Sequence, residues 1–250
     1  MILKRKIYKK LLEWKKECQG KKALLIEGAR RIGKSTICEE FGKSEYKSFL
    51  LIDFAKKDKE VEGYFEKYLN DLDTFFMLLQ THFGTKLTER NSLIIFDEVQ
   101  MFPQARAAIK YLVADGRYDY IETGSLISIR ENVKNIVIPS EERHINMYPL
   151  DFEEFAIALE EDLLVEYIKK CFEKREPLER SMHNQAMLLF HQYMLVGGMP
   201  MPVVSFIENK KDFTEADKEK RDILKLYRED IMKIDMRYRS KVLAIYDQIP

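Results

Sequence analysis

Gly28-Ala29-Arg30-Arg31-Ile32-Gly33-Lys34-Ser35, with Thr36 directly behind it, has the GxxxxGK[ST] spacing of a phosphate-binding loop. Ahead of it Lys22 to Glu27 reads as a short buried strand, and beyond it Ser35 to Phe41 begins a helix. The motif needs that context. Glycines let the backbone curl until successive N–H groups, from Gly28 through Thr36, point at phosphate oxygens, and the helix N-terminus adds partial positive charge. Lys34 then reaches the β- and γ-phosphates, and the Ser35 hydroxyl sits on Mg²⁺. The competing reading is a glycine-rich turn that only joins a strand to a helix.

Working outward, Tyr46 to Phe54 reads as a second strand, and from Val61 apolar residues recur at three and four through Leu79, one long helix closed by Gly84. Leu93-Ile94-Ile95-Phe96 is a fully buried strand that ends in Asp97-Glu98. An acid at the C-terminal end of a parallel strand lies where open α/β sheets bind ligands. Asp97 is placed to hold Mg²⁺ next to Ser35, and Glu98 to polarise a water that attacks the γ-phosphate. The plainer alternative is that acids simply end strands. Pro103 opens a helix that Gly116 stops, and Tyr118 to Thr123 forms a strand running into Gly124-Ser125. A hydroxyl there, Thr123 or Ser125, senses the γ-phosphate or the water; equally, Ser125 N-caps a following helix. Polar loop residues fill 130–142, and Arg143 to Met147 makes a short fifth strand.

Past Pro149-Leu150 the pattern changes. Asp151-Phe152-Glu153-Glu154 has capping-box spacing, and only helical periods follow, over Leu163 to Phe172, His183 to Val196 and Asp212 to Met236. The loop Gly197-Gly198-Met199-Pro200 interrupts them. Alternating strands and helices, then helices alone, give an α/β fold with a parallel sheet and a boundary near residue 150.

Composition agrees with a globular protein: 46% of the 250 residues are hydrophobic and 34% charged. With 42 basic and 42 acidic residues a global basic field is absent. Residues 1–17 are nevertheless lysine-rich around an apolar face of Leu3, Ile7, Leu11 and Trp14. Such a helix suits DNA or an acidic protein partner, or is simply a solvated face. Cys18, Cys38 and Cys171 are odd in number and lack metal-ligand spacing, as in reduced intracellular chains. With no bilayer-length apolar run and no signal-peptide core, a cytoplasmic protein with no membrane partner is expected.

These segments together resemble the AAA-type ATPases of archaea and bacteria that carry a C-terminal domain of unknown function. The likeness rests on Gly28 to Thr36, Phe96-Asp97-Glu98-Val99-Gln100, Thr123-Gly124-Ser125, Tyr148 to Phe155, and Gly197-Gly198-Met199-Pro200. It implies the ASCE P-loop arrangement, a parallel sheet in the order 5-1-4-3-2, with a core over 1–150, a helical lid over 151–205, and an incomplete winged-helix-like segment over 206–250. It also implies ATP or ADP with Mg²⁺ as ligands. Lys34 and Ser35 then match the Walker A ligands, Asp97 and Glu98 the Walker B acids, and Thr123 or Ser125 the sensor. Gly198 and Pro200 resemble a motif that touches nucleotide from the lid. Arg143 stands where the family often has an arginine, although Glu142 replaces the glycine that usually precedes it. Arg30, Arg31, Arg117, Arg130 and Arg143 are the candidate arginine fingers. Family members continue past this length, so the chain reads as a fragment.

The expected function is an ATP-hydrolysing switch whose lid reports nucleotide state. Two rivals stand beside it: a small-molecule P-loop kinase, and a non-hydrolysing nucleotide-bound module that binds DNA or a protein.

Overall fold

A computed structural model describes residues 1–125, 141–232 and 234–248. The chain forms two compact units, one of Arg5–Tyr148 and one of Met1–Lys4 with Pro149 onward. In the first, five parallel strands, β1 (Ala23–Gly28), β2 (Ser48–Asp53), β3 (Ser92–Asp97), β4 (Asp119–Ser125) and β5 (Glu142–Asn146), lie in the order β2-β3-β4-β1-β5. This is the 5-1-4-3-2 order that the resemblance implies. The unit's helices are α1 (Ile7–Cys18), α2 (Lys34–Glu45), α3 (Lys59–Lys67), α4 (Leu72–Phe83) and α5 (Pro103–Asp115).

Parallel strands covered on both faces must be apolar nearly throughout. Accordingly β3 is buried at every position, and Leu24, Leu25 and Ile26 of β1 are buried too. Alternation divides the strand residues between two layers. Ala23, Leu25, Ile94 and Phe96 share one core with Phe65, Phe75 and Phe102, where Phe65 meets Phe75 edge-on at 5.0 Å. Leu11 and Trp14 of α1 are buried elsewhere in the unit, Trp14 6.5 Å from Phe41 of α2, and the Trp14 indole N–H donates to the Lys22 carbonyl at 2.9 Å.

Two helix boundaries differ from expectation. The single helix expected from Val61 to Leu79 is two, because the Asp71 side chain accepts from Thr74 N–H at 3.2 Å and starts α4 afresh. The N-terminal helix begins only at Ile7, and Leu3 packs instead against the core of the other unit.

One polar group in the sheet was not anticipated. Arg106 of α5, fully buried, forms a bidentate pair with Glu142 of β5 at 2.8 and 3.2 Å. His144 lies 3.2 Å from Glu142 and 3.4 Å from Glu27. Beside them Glu122 of β4 is wholly buried and finds no donor for either oxygen among the described residues. Burial, together with the Glu142 charge, pushes its carboxyl well above the usual range. Burial beside Glu142 thus favours the protonated form of Glu122.

The second unit is helical throughout its described residues: α6 (Phe152–Ala158), α7 (Asp162–Lys174), α8 (Arg180–Val196), α9 (Pro200–Glu208), α10 (Phe213–Ile231) and α11 (Met236–Tyr246). The expected capping box starts α6, with Glu154 N–H donating to Asp151 at 2.9 Å and Asp151 N–H to Glu154 at 3.1 Å. The period expected from Asp212 to Met236 is broken, and Asp235 caps a new helix through Arg237 N–H at 3.0 Å. Phe155, Leu189, Val203 and Phe206 centre its core. The three cysteines are buried and unbridged, and no described helix is long and apolar enough to cross a membrane.

A carboxyl whose folded pKa is raised holds its proton in the folded state, so its contribution to stability is present below the ordinary value of about 4.3 and is lost as pH rises above it. Glu122→Gln keeps the shape and donates to Glu142 at every pH. Urea unfolding from pH 5 to 9 is expected to show the variant gaining on the parent as pH rises; parallel profiles would mean that Glu122 is ionised.

Candidate functional site

The phosphate-loop sequence turns sharply between β1 and α2. Arg31 and Gly33 adopt positive φ of 67° and 91°, and Ile32 between them is fully buried, anchoring the turn. Gly28 is required by close approach: a Cβ there would fall 2.4 Å from the Met147 carbonyl oxygen. The first helical bond of α2 runs from Ile37 N–H to Gly33 O at 3.1 Å, which leaves the amides of the preceding turn outside the intrahelical ladder. Those amides and the helix N-terminus lie together at the turn, an arrangement that suits an anion.

Lys34 is buried, its ammonium donating to the Gly28 and Ala29 carbonyls at 3.1 and 2.8 Å. Burial lowers its pKa, and the Glu98 and Asp97 carboxylates oppose that shift. Ser35, one residue on, donates its hydroxyl to Asp97 Oδ1 at 2.8 Å. That bond joins residues 62 positions apart. Ser35 Oγ and the Asp97 carboxylate are hard oxygen donors, the chemistry that Mg²⁺ takes. Arg30 is half-buried, while Arg31 and Thr36 are exposed.

The acids are held from β4. Thr123 Oγ1 bonds Asp97 Oδ1 and also accepts from Glu98 N–H at 3.3 Å. Thr123 thus supports the backs of both acids. Glu98 itself leaves the strand in a left-handed conformation, φ 55°, and its carboxylate accepts from the Gln100 side-chain amide. Ser125, buried, ends β4 level with Gly28 of β1. The helix it was weighed as capping falls outside the described residues, as do Arg130 and most of the polar loop at 130–142.

Other expected residues lie elsewhere. Arg143 pairs in register with Leu24, at the start of β1, and is bound to Glu17 of α1 at 2.7 Å. Four residues of strand separate that level from Gly28, about 13 Å at ~3.3 Å per residue. Arg143 is thus not brought together with Gly28, Lys34 and Asp97 in this chain. Arg117, held by Asp115 at 2.8 Å and Asp73 at 2.7 Å just before β4 begins, is at the same wrong end of the sheet. Gly198 and Pro200 belong to the helical unit. There Leu150 N–H donates to Gly198 O at 2.7 Å, a Cβ on Gly198 would fall 2.2 Å from Leu150 O, and Pro200 occupies the first turn of α9. Sequence reading gave no role to Gln100, whose signal was a lone amide in an apolar turn after the acids, or to Arg5, whose signal was only one cation among many.

A family described as AAA domain matches residues 20–156. Among solved structures, the chain is similar to domain III of the replication initiation protein DnaA from Thermotoga maritima, at 14% identity and TM-score 0.43 over 86% of this chain and 90% of that one. It is similar to C. elegans PCH-2 at 12% identity and TM-score 0.40, over 86% of this chain and 64% of that one. A third is the Aeropyrum pernix ORC1 protein in complex with DNA, at 10% identity and TM-score 0.38 over 99% and 84%. Among curated proteins, none matches the chain.

Because a Cβ on Gly28 would meet the Met147 backbone carbonyl as well as the buried Ile32 side chain, Gly28→Ala is expected to cost about 1–3 kcal/mol by overpacking. The urea midpoint reads this directly, and an unchanged midpoint would show that Met147 moves aside freely.

Proposed function

The chain belongs to the AAA domain family, and on that premise we propose that it binds ATP with Mg²⁺ and hydrolyses it. The observation that carries the proposal is the Ser35 to Asp97 bond of 2.8 Å, which brings the phosphate loop and the acid pair into one site.

Phosphoryl transfer asks a protein for positioning and charge rather than covalent chemistry. The loop amides and Lys34 bind the phosphate oxygens, with Lys34 exchanging its two carbonyl partners for them. Ser35 and Asp97 would hold Mg²⁺, which would supply positive charge against that developing on the phosphates. Glu98, steered by Thr123 and Gln100, orients water in line with the γ-phosphate and accepts its proton. Thr123 keeps the acids in place, and Ser125 is the remaining hydroxyl at the strand ends for the γ-phosphate. We assign the helices after residue 150, with Gly198 and Pro200, the role of a lid that reports nucleotide state, an element of the kind nucleotide gates use.

A second reading, attachment to DNA or an acidic protein, draws on Lys9, Lys10, Lys16, Lys21 and Lys22, all exposed. Binding to a DNA duplex that weakens steeply with salt would support it; salt-insensitive binding, or none, would exclude the DNA form.

Lys34→Ala is expected to abolish binding of a fluorescent ATP analogue, while Glu98→Gln keeps it and loses roughly a hundredfold or more in turnover, the scale of general-base loss. Phosphate release unchanged in Glu98→Gln would overturn the role of Glu98. ADP formation that depends on an added hydroxyl acceptor would instead make the chain a kinase.

A further inference from the structure

Arg5 lies just before α1, far in sequence from the loop, yet its guanidinium makes two charge-assisted bonds to backbone. Nη1 donates to the Ile32 carbonyl at 3.0 Å and Nη2 to the Tyr148 carbonyl at 2.6 Å. Ile32 is the loop residue between the two positive-φ positions. Tyr148 is the last residue of the α/β unit before the chain leaves it, and Arg5 is the first after the chain enters it.

A trans peptide points its C=O and the following N–H in opposite directions. Holding the Ile32 oxygen toward Arg5 therefore aims the Gly33 N–H the other way. Gly33, with φ 91°, has little intrinsic preference of its own, so the direction of that amide must come from a neighbour. The other flank of the loop is fixed by the same segment: Met147 N–H donates to Glu27 O at 2.8 Å, and Met147 O stands where a Gly28 side chain would be. The planar fork reaches the two carbonyls with two separate nitrogens fixed in one plane, whereas a lysine would have to meet both from a single nitrogen at the end of a flexible stem.

We propose that Arg5 is a positioning residue for nucleotide: it pre-organises the Ile32–Gly33 peptide for phosphate and ties that peptide to Met147–Tyr148, the segment through which the chain leaves the unit. The inference rests on the nucleotide-binding reading of the loop. Pre-organisation acts by removing an ordering cost from binding. Loss of Arg5 is therefore an affinity effect for ATP and ADP alike, since both carry the phosphates the loop amides meet, and it leaves the Glu98 step untouched.

The test uses the full chain with Arg5→Lys and Arg5→Gln, which keep a long polar side chain where Arg5→Ala risks the fold. Without nucleotide, amide hydrogen exchange at residues 29–36 is expected to accelerate in both variants together with exchange at 147–148, while the centres of β3 and β4 stay protected. With nucleotide, Kd and KM for ATP rise about tenfold with kcat within twofold, the loss of roughly one charge-assisted bond. Unchanged loop exchange, full rescue by lysine, or a fall in kcat at constant KM would overturn the proposal. The exchange experiment needs no ligand. Faster loop exchange in a chain that binds no nucleotide would thus keep Arg5 as the brace of the loop while defeating the ATP reading.

Discussion

The bond from the Ser35 hydroxyl to Asp97 depends on a strand order that the chain does not take in sequence. β1 and β3 are separated by β4, so the loop and the acids start two strand spacings apart, about 10 Å at ~4.8 Å per strand. The first turn of α2 has to lean across β4 to close the gap. The hydroxyl of Thr123, on β4 between them, bonds Asp97 and supports Glu98 from below. Sheet order, loop and acid pair are thus one constraint seen at three scales.

The same sheet carries charge where hydrophobic packing is the rule. Replacing a buried ion pair with apolar residues is often neutral, whereas breaking one is costly. Arg106, Glu142 and Glu122 fall in that class: Arg106 pairs with Glu142, and burial beside that charge pushes the Glu122 carboxyl well up. Their place, on β4, β5 and α5, lies on strands that also carry Thr123 and the segment leading to Met147–Tyr148. Stability of the sheet and rigidity of the site therefore share elements.

Much of this was legible in the sequence because the relevant signals are local. The glycine spacing, the apolar run ending in Asp97-Glu98, Pro103 at a helix start, Gly84 and Gly116 past helix ends, and the Asp151–Glu154 box each carry their meaning within a few residues. What was missed is non-local or competes with a stronger pattern. Periodicity from Val61 ran on through Tyr68, so the cap at Asp71 was overridden on paper though not in the fold. Arg143 was placed by analogy of position, but register set it at the start of β5 and Glu17 engages it there. Arg5 and the Arg106 network act through partners up to 143 residues away, which no window along the chain reveals, while Gln100 acts on Glu98 through a side-chain bond that periodicity does not register.

The central claim is that loop and acid pair form one centre for water attack on the γ-phosphate of ATP. Hydrolysis in ¹⁸O-enriched water with Mg²⁺, read by mass spectrometry of the products, tests it most directly. The account predicts that each phosphate released carries oxygen from the solvent and that the ADP carries none. Unlabelled phosphate, label in the ADP, or no release of phosphate would contradict it.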